Sequence, residues 1–136
     1  MSAVNWFPGH MVRASQAIAA VLKKVDVVVE VRDARIPFSS SSPLLSSLLP
    51  HNMPCVVALN KADLANANLS HRAVSLLGGP SRAVLLSSGG PAKGTRLAAL
   101  LPACLAAARP SRRGPLHVLV VGVPNAGKSS LINALR

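Results

Sequence analysis

The run Gly122-Val123-Pro124-Asn125-Ala126-Gly127-Lys128-Ser129 constrains this chain more than any other stretch. It fits G-x-x-x-x-G-K-[ST] in full, with an apolar run (Leu116–Val121) before it and a helical start after it. In that context the backbone N–H groups of the loop and of the following helix converge into an anion cradle. Gly127 lets the backbone approach a phosphate closely, Lys128 supplies a point charge for the outer phosphates, and the Ser129 hydroxyl is placed to hold Mg²⁺. Pro124, Asn125, Ala126 and Ser130 complete the candidate cradle. A loop of this kind needs a strand, a turn and a helix in sequence, which points to an α/β architecture.

The rest of the pattern agrees. Val25, Val27, Val29 and Val31 recur with period two, Cys55–Leu59 is wholly apolar, and Ala83–Leu86 is a third short apolar run. Helical spacing is read over Val12–Lys24, Pro43–Leu49, Ser70–Leu77 and Thr95–Ala108, where Pro102 is expected to kink the helix. Strands alternating with helices predict a doubly wound parallel sheet with helices on both faces, here with four strands. At 136 residues and 50% hydrophobic content the chain suffices for one domain with a core. Within it we separate an N-terminal motif and helix (1–24), a half carrying three strands (25–108), a basic connector (109–115) and a strand–loop–helix unit (116–136).

A second motif lies at another strand end. Asn60-Lys61-Ala62-Asp63 follows Leu59 directly. A carboxylate at Asp63 can accept from guanine N1–H and from its N2 amine at once, a donor pair that adenine lacks. Asn60 can brace the loop and reach the purine edge, and the Lys61 stem can cover the ring. Ser87 and Ser88, after the third strand, are candidates for a backbone contact to guanine O6. Such a four-residue string also occurs as a plain polar turn; its company with a phosphate loop gives it meaning.

Charge narrows the partners. Fifteen Lys and Arg stand against four acids, giving a formal charge of +11. A surface of this kind attracts polyanions, nucleic acid first and an anionic membrane surface second, so peripheral membrane contact stays open. The four acids, Asp26, Glu30, Asp33 and Asp63, are too few for a paired-carboxylate hydrolase or a carboxylate metal cage. Cys55 and Cys104 have no disulfide or zinc spacing and are expected to be buried, reduced thiols. No apolar run approaches the roughly 18 residues that span a bilayer.

In the usual small GTPases the phosphate loop precedes the base-reading loops. Here the order is reversed. With Trp6-Phe7-Pro8-Gly9-His10-Met11, Asp33-Ala34-Arg35-Ile36-Pro37, Asn60–Asp63 and Gly122–Asn133 in that order, the chain resembles the circularly permuted GTPases of the YlqF/RbgA type. Lys128–Arg136 is more similar to the branch that includes the mitochondrial ribosome-associated GTPases. The resemblance implies GTP and GDP as ligands with Mg²⁺, and a role in assembling the large ribosomal subunit through its ribosomal RNA. It also implies a monomer and a mitochondrial matrix location, with a bacterial cytoplasm or chloroplast stroma as alternatives. His10 would then take the place of the water-orienting glutamine of Ras-like enzymes. The family continues beyond the position of Arg136 with a threonine loop and an Asp-x-Pro-Gly loop. Residues 1–136 are therefore expected to be an incomplete fold, with Leu116–Val121 as an uncovered edge, that binds nucleotide and turns over almost none. The alternative reading is a catalytically inactive RNA- or ribosome-binding fragment that keeps the basic surface.

Overall fold

The computed structural model describes residues 2–4, 17, 19–87, 93–108, 114–123 and 126–135. Five parallel strands form one sheet: β1 (Ser2–Val4), β2 (Val27–Asp33), β3 (Cys55–Asn60), β4 (Ala83–Leu85) and β5 (His117–Gly122). Their spatial order is β1-β5-β2-β3-β4, so the strand that comes last in sequence is inserted beside β2. The four expected strands are present, and β1 is an addition. Ser2-Ala3-Val4 pairs with His117-Val118-Leu119, so the expected open edge at β5 is lined by three residues. A segment that short carries no periodicity to read, and the ladder of β5 is what orders it.

The β-branched runs form strands because both faces of the sheet are covered. Val27, Val29, Val31, Val118 and Val120 point to one face and pack under Leu100, Ala103 and Cys104 of α3 (Lys93–Ala107) and Leu131 and Ile132 of α4 (Lys128–Leu135). Val28, Leu119 and Val121 point to the other, against Leu22, Val25 and Met53, with Leu48 of α1 (Pro43–Leu48) beside them. Farther along that face, Leu59 packs with Ala73 of α2 (Ala67–Leu76). The faces of β2 and β5 alternate residue by residue, as the pleat requires.

Helix boundaries moved where capping overrides pattern. α2 starts at Ala67, not Ser70, because Asn66 accepts a side-chain hydrogen bond from the Leu69 N–H, at 3.2 Å. It stops at Gly78 and Gly79, both at positive φ. α3 runs through Pro102 as one continuous helix and keeps the proline on its exposed side. Only part of the expected helix over Val12–Lys24 lies within the described residues, where 19–22 are helical. Cys104 is buried as expected, whereas Cys55, the first residue of β3, is half-buried because it starts the strand at the rim of the core. No helix among the described residues is long and apolar enough to cross a membrane.

Candidate functional site

Because every strand runs the same way, all strand C-termini meet on one edge of the sheet, where parallel α/β folds place their sites. Asp33 of β2 stands in register with Asn60 of β3, and Val31 of β2 with Gly122 of β5. The two motifs, which begin 62 positions apart in sequence, are thereby brought to neighbouring strand ends. Gly122 is needed at this junction, since a Cβ there would come within 2.7 Å of the Val31 carbonyl.

The glycine loop leaves β5 and enters α4. Gly127 has φ +94°, a conformation that side chains rarely adopt, and its carbonyl accepts from the Leu131 N–H to open α4. Ala126 is buried, Lys128 is 6% exposed, and Ser129 in the first turn of α4 is exposed. Burial pushes the Lys128 ammonium below its ordinary pKa. A lysine costs free energy to bury unless a charge meets it. Ser130 lies in the first turn of α4. Pro124 and Asn125 lie outside the described residues, as do His10 and Ser88.

Asn60 joins the two motifs. Its side chain is 3% exposed, and its Nδ2 donates to the Ala126 carbonyl at 3.2 Å. A Cβ on Gly127 would come within 2.0 Å of that same Nδ2, so the motif glycine is also the space the asparagine occupies. The Asn60 Oδ1 is buried and makes no hydrogen bond among the described residues. Lys61 follows in the left-handed region at φ 61°, and turns the chain into a 3₁₀ turn over Ala62–Leu64. That turn exposes Asp63. It is pinned to the end of β4, because the Ala62 N–H donates to the Leu86 carbonyl at 2.9 Å and the Leu86 N–H to the Leu59 carbonyl at 2.8 Å. Ser87, next in the chain, is therefore held beside Asn60–Asp63, and it is exposed.

Two residues with no chemical role in the sequence reading belong to this edge. Asp33 ends β2 and is 7% exposed. Its Oδ1 accepts from the Arg35 N–H at 2.9 Å and from Arg35 Nε at 3.1 Å, and its Oδ2 accepts from Arg35 Nη2 at 2.8 Å. The Lys61 ammonium lies 3.8 Å from that Oδ2. The Arg35 hydrogen bonds hold the Asp33 carboxyl below the usual carboxylate range, against the opposing effect of burial. The readable signal was an acid closing an apolar strand, two residues from an arginine.

Among the described residues no cluster of three or more His, Cys, Asp or Glu is placed to hold a metal. A Mg²⁺ held between nucleotide phosphates, water and one hydroxyl needs no such cluster, and the exposed Ser129 on the first turn of α4 fits that donor set.

The sequence profile of the family described as 50S ribosome-binding GTPase matches residues 117–136, which are β5, the loop and α4. Ribosome biogenesis GTPase A of Bacillus cereus is 34% identical over 139 residues, covering 97% of this chain and 47% of that protein. Mitochondrial ribosome-associated GTPase 1 of Mus musculus is 40% identical over 138 residues, covering 97% and 42%. The GDP-bound structure of TM YlqF superposes with a TM-score of 0.65 at 33% identity, over 88% of this chain and 47% of that one. The chain thus spans less than half the length of these relatives. Over the part it spans, it is a homologue of the ribosome biogenesis GTPases of the YlqF/RbgA type, with Asn60–Asp63 ahead of the glycine loop.

Proposed function

We propose that this chain is the guanine-nucleotide-binding part of a GTPase that assists assembly of the large ribosomal subunit. The observation that carries the reading is the Asn60 side chain on the Ala126 carbonyl, which locks a candidate base-reading loop to a candidate phosphate loop. In this reading the whole chain is one permuted G domain, with 25–108 as its base-recognition half. Asp63 accepts from the guanine N1 and N2 groups, Lys61 covers the ring, and Asn60 braces the site. Ser87 and Ser88 offer backbone contacts to O6. The backbone N–H groups of the glycine loop, which Pro124 lacks, and the Lys128 ammonium hold the phosphates. Ser129 is the residue that would hold Mg²⁺, which when bound neutralises charge on the β- and γ-phosphates.

His10 is the candidate to orient water for hydrolysis. The +11 charge supports ribosomal RNA as the macromolecular partner, with the protein acting as a monomer. The similarity to mitochondrial relatives at 40% identity supports the mitochondrial matrix, and the bacterial relatives make a bacterial cytoplasm the alternative. The same excess of cations supports a second reading, an RNA-binding module without turnover.

Titration of the chain with GDP and ADP separates these. GDP should bind and ADP should not. Asp63→Asn should weaken GDP by about 2–3 kcal/mol, the size of a bidentate base contact, and shift preference toward the xanthine nucleotide. Equal affinity for ADP and GDP would remove Asp63 as the reader. RNA binding with no nucleotide binding would leave the second reading standing.

A further inference from the structure

Asp33, Arg35 and Lys61 form a group whose arrangement exceeds what a turn requires. A simple staple of the loop after β2 would need one carboxylate and the Arg35 backbone. Here Asp33 is held on three sides. Arg35 closes on it with its backbone N–H and two guanidinium nitrogens, at 2.8–3.1 Å. Ser40 Oγ accepts from the Asp33 N–H at 3.0 Å and donates to the Ile36 carbonyl, fixing the strand end itself. The remaining approach, to Oδ2, is taken by the Lys61 ammonium at 3.8 Å. The lysine and aspartate side chains are 23% and 10% exposed, so salt screens this pair less than a surface pair. Lysine is a point charge on a flexible stem, and fixing that stem beforehand lowers the ordering cost of any ligand it must cover.

We propose that Asp33 is a positioning residue for Lys61: anchored by Arg35, its carboxylate holds the lysine stem in place for the face of the purine. The inference rests on the reading that Lys61 covers a guanine ring, and it adds a group that never touches the nucleotide. Asp33 and Lys61 are brought together by register, since Asp33 pairs with Asn60 across the β2–β3 ladder. Lys61 follows Asn60 directly, in the left-handed region, and its ammonium lies 3.8 Å from Asp33 Oδ2.

The test is a double-mutant cycle on the 136-residue chain, read with a fluorescent GDP at equilibrium. The four proteins are the unmodified chain, D33N, K61M and D33N/K61M. Asparagine keeps an acceptor oxygen for the Arg35 N–H, but it loses the charge and the second acceptor oxygen, which faces Arg35 Nη2 and Lys61. Should D33N fail to fold, D33S takes its place, because a serine hydroxyl can accept from the same N–H in a turn. D33N should raise the GDP dissociation constant about three- to fivefold in the Lys61 protein, the range of a single partly screened ion pair. It should change it less than about 1.5-fold in the K61M background. Competition by inorganic triphosphate, which has no base for Lys61 to cover, should be the same for the unmodified chain and D33N. A purely structural role would move both ligands and both backgrounds alike. Equal fold-changes in the two backgrounds, a parallel loss of triphosphate affinity, or no effect of D33N overturns the proposal while the function stands. If the unmodified chain binds no GDP, the functional reading falls and this inference with it.

Discussion

Replacing Gly127 by alanine isolates the contact on which the site depends. Two separate costs arise. The backbone sits at φ +94°, where a non-glycine residue is strained by about 1–3 kcal/mol. The new Cβ would also stand 2.0 Å from Asn60 Nδ2, so the asparagine must leave. Its hydrogen bond to the Ala126 carbonyl is then lost in a buried setting, costing about 1–3 kcal/mol more. Together the substitution should destabilise the fold by about 2–6 kcal/mol, a large share of a domain stability of about 5–15 kcal/mol. Gly79 is a natural control. It has nearly the same dihedral, φ +90°, but nothing lies within 4 Å of its virtual Cβ. Gly79→Ala should therefore show the conformational cost alone. The assay is urea unfolding followed by circular dichroism for both variants and for Asn60→Ala. Gly127→Ala should exceed Gly79→Ala by at least about 1 kcal/mol. The double variant with Asn60→Ala should recover much of that excess, because the clashing atom is gone. Equal costs for the two glycines would refute the argument that Gly127 is reserved for Asn60.

Two further outcomes follow from burial. Lys128→Ala should abolish binding of GDP and of GTP in calorimetric titrations, because it removes the buried cation at the start of α4 that faces the outer phosphates in this reading. The thiols of Cys55 and Cys104 are both pushed up from 9.0 to about 11, mainly by burial. Both should resist iodoacetamide at pH 8 in the folded chain and react on unfolding. Because the unfolded chain ionises them first, their contribution to stability is full below pH 9 and is lost as pH rises toward 11.

Much of the fold was legible because its strands are short apolar runs ending in chemistry-bearing turns. Cys55–Leu59 reads as a buried strand, and β3 occupies Cys55–Asn60. The glycine loop is legible for the same local reason. What was not legible is whatever depends on registers between distant segments. Ser2–Val4 has no pattern of its own and becomes a strand only against β5. The start of α2 was displaced by Asn66, a cap whose effect outweighs the polar composition after it. Nothing in the string Gly127-Lys128 announces that the glycine's missing side chain is the berth of an asparagine 67 positions earlier. Asp33 could be read as an acid closing a strand near Arg35, but its approach to Lys61 could not, since that depends on the β2–β3 ladder.

That dependence on register explains why the order of the motifs can be reversed without dispersing them. A parallel sheet delivers every strand's C-terminus to one edge, whatever the sequence in which the strands are made. Here β2 is the hub: it pairs with β3 on one side and with β5 on the other. Asp33 faces the Asn60 loop, and Val31 faces Gly122 at the root of the glycine loop. Asn60 and the glycine loop thus come from strands that flank β2 and never pair with each other, and one side chain bridges the gap to the Ala126 carbonyl. The geometry of the site is therefore a property of the strand order β5-β2-β3, not of chain direction between motifs. The cost falls on assembly, since β5 must be inserted beside a β2 formed about 90 residues earlier, and pairings of such separation slow folding. The all-valine face of β2, buried under α3 and α4, supplies the apolar surface that makes this late insertion favourable.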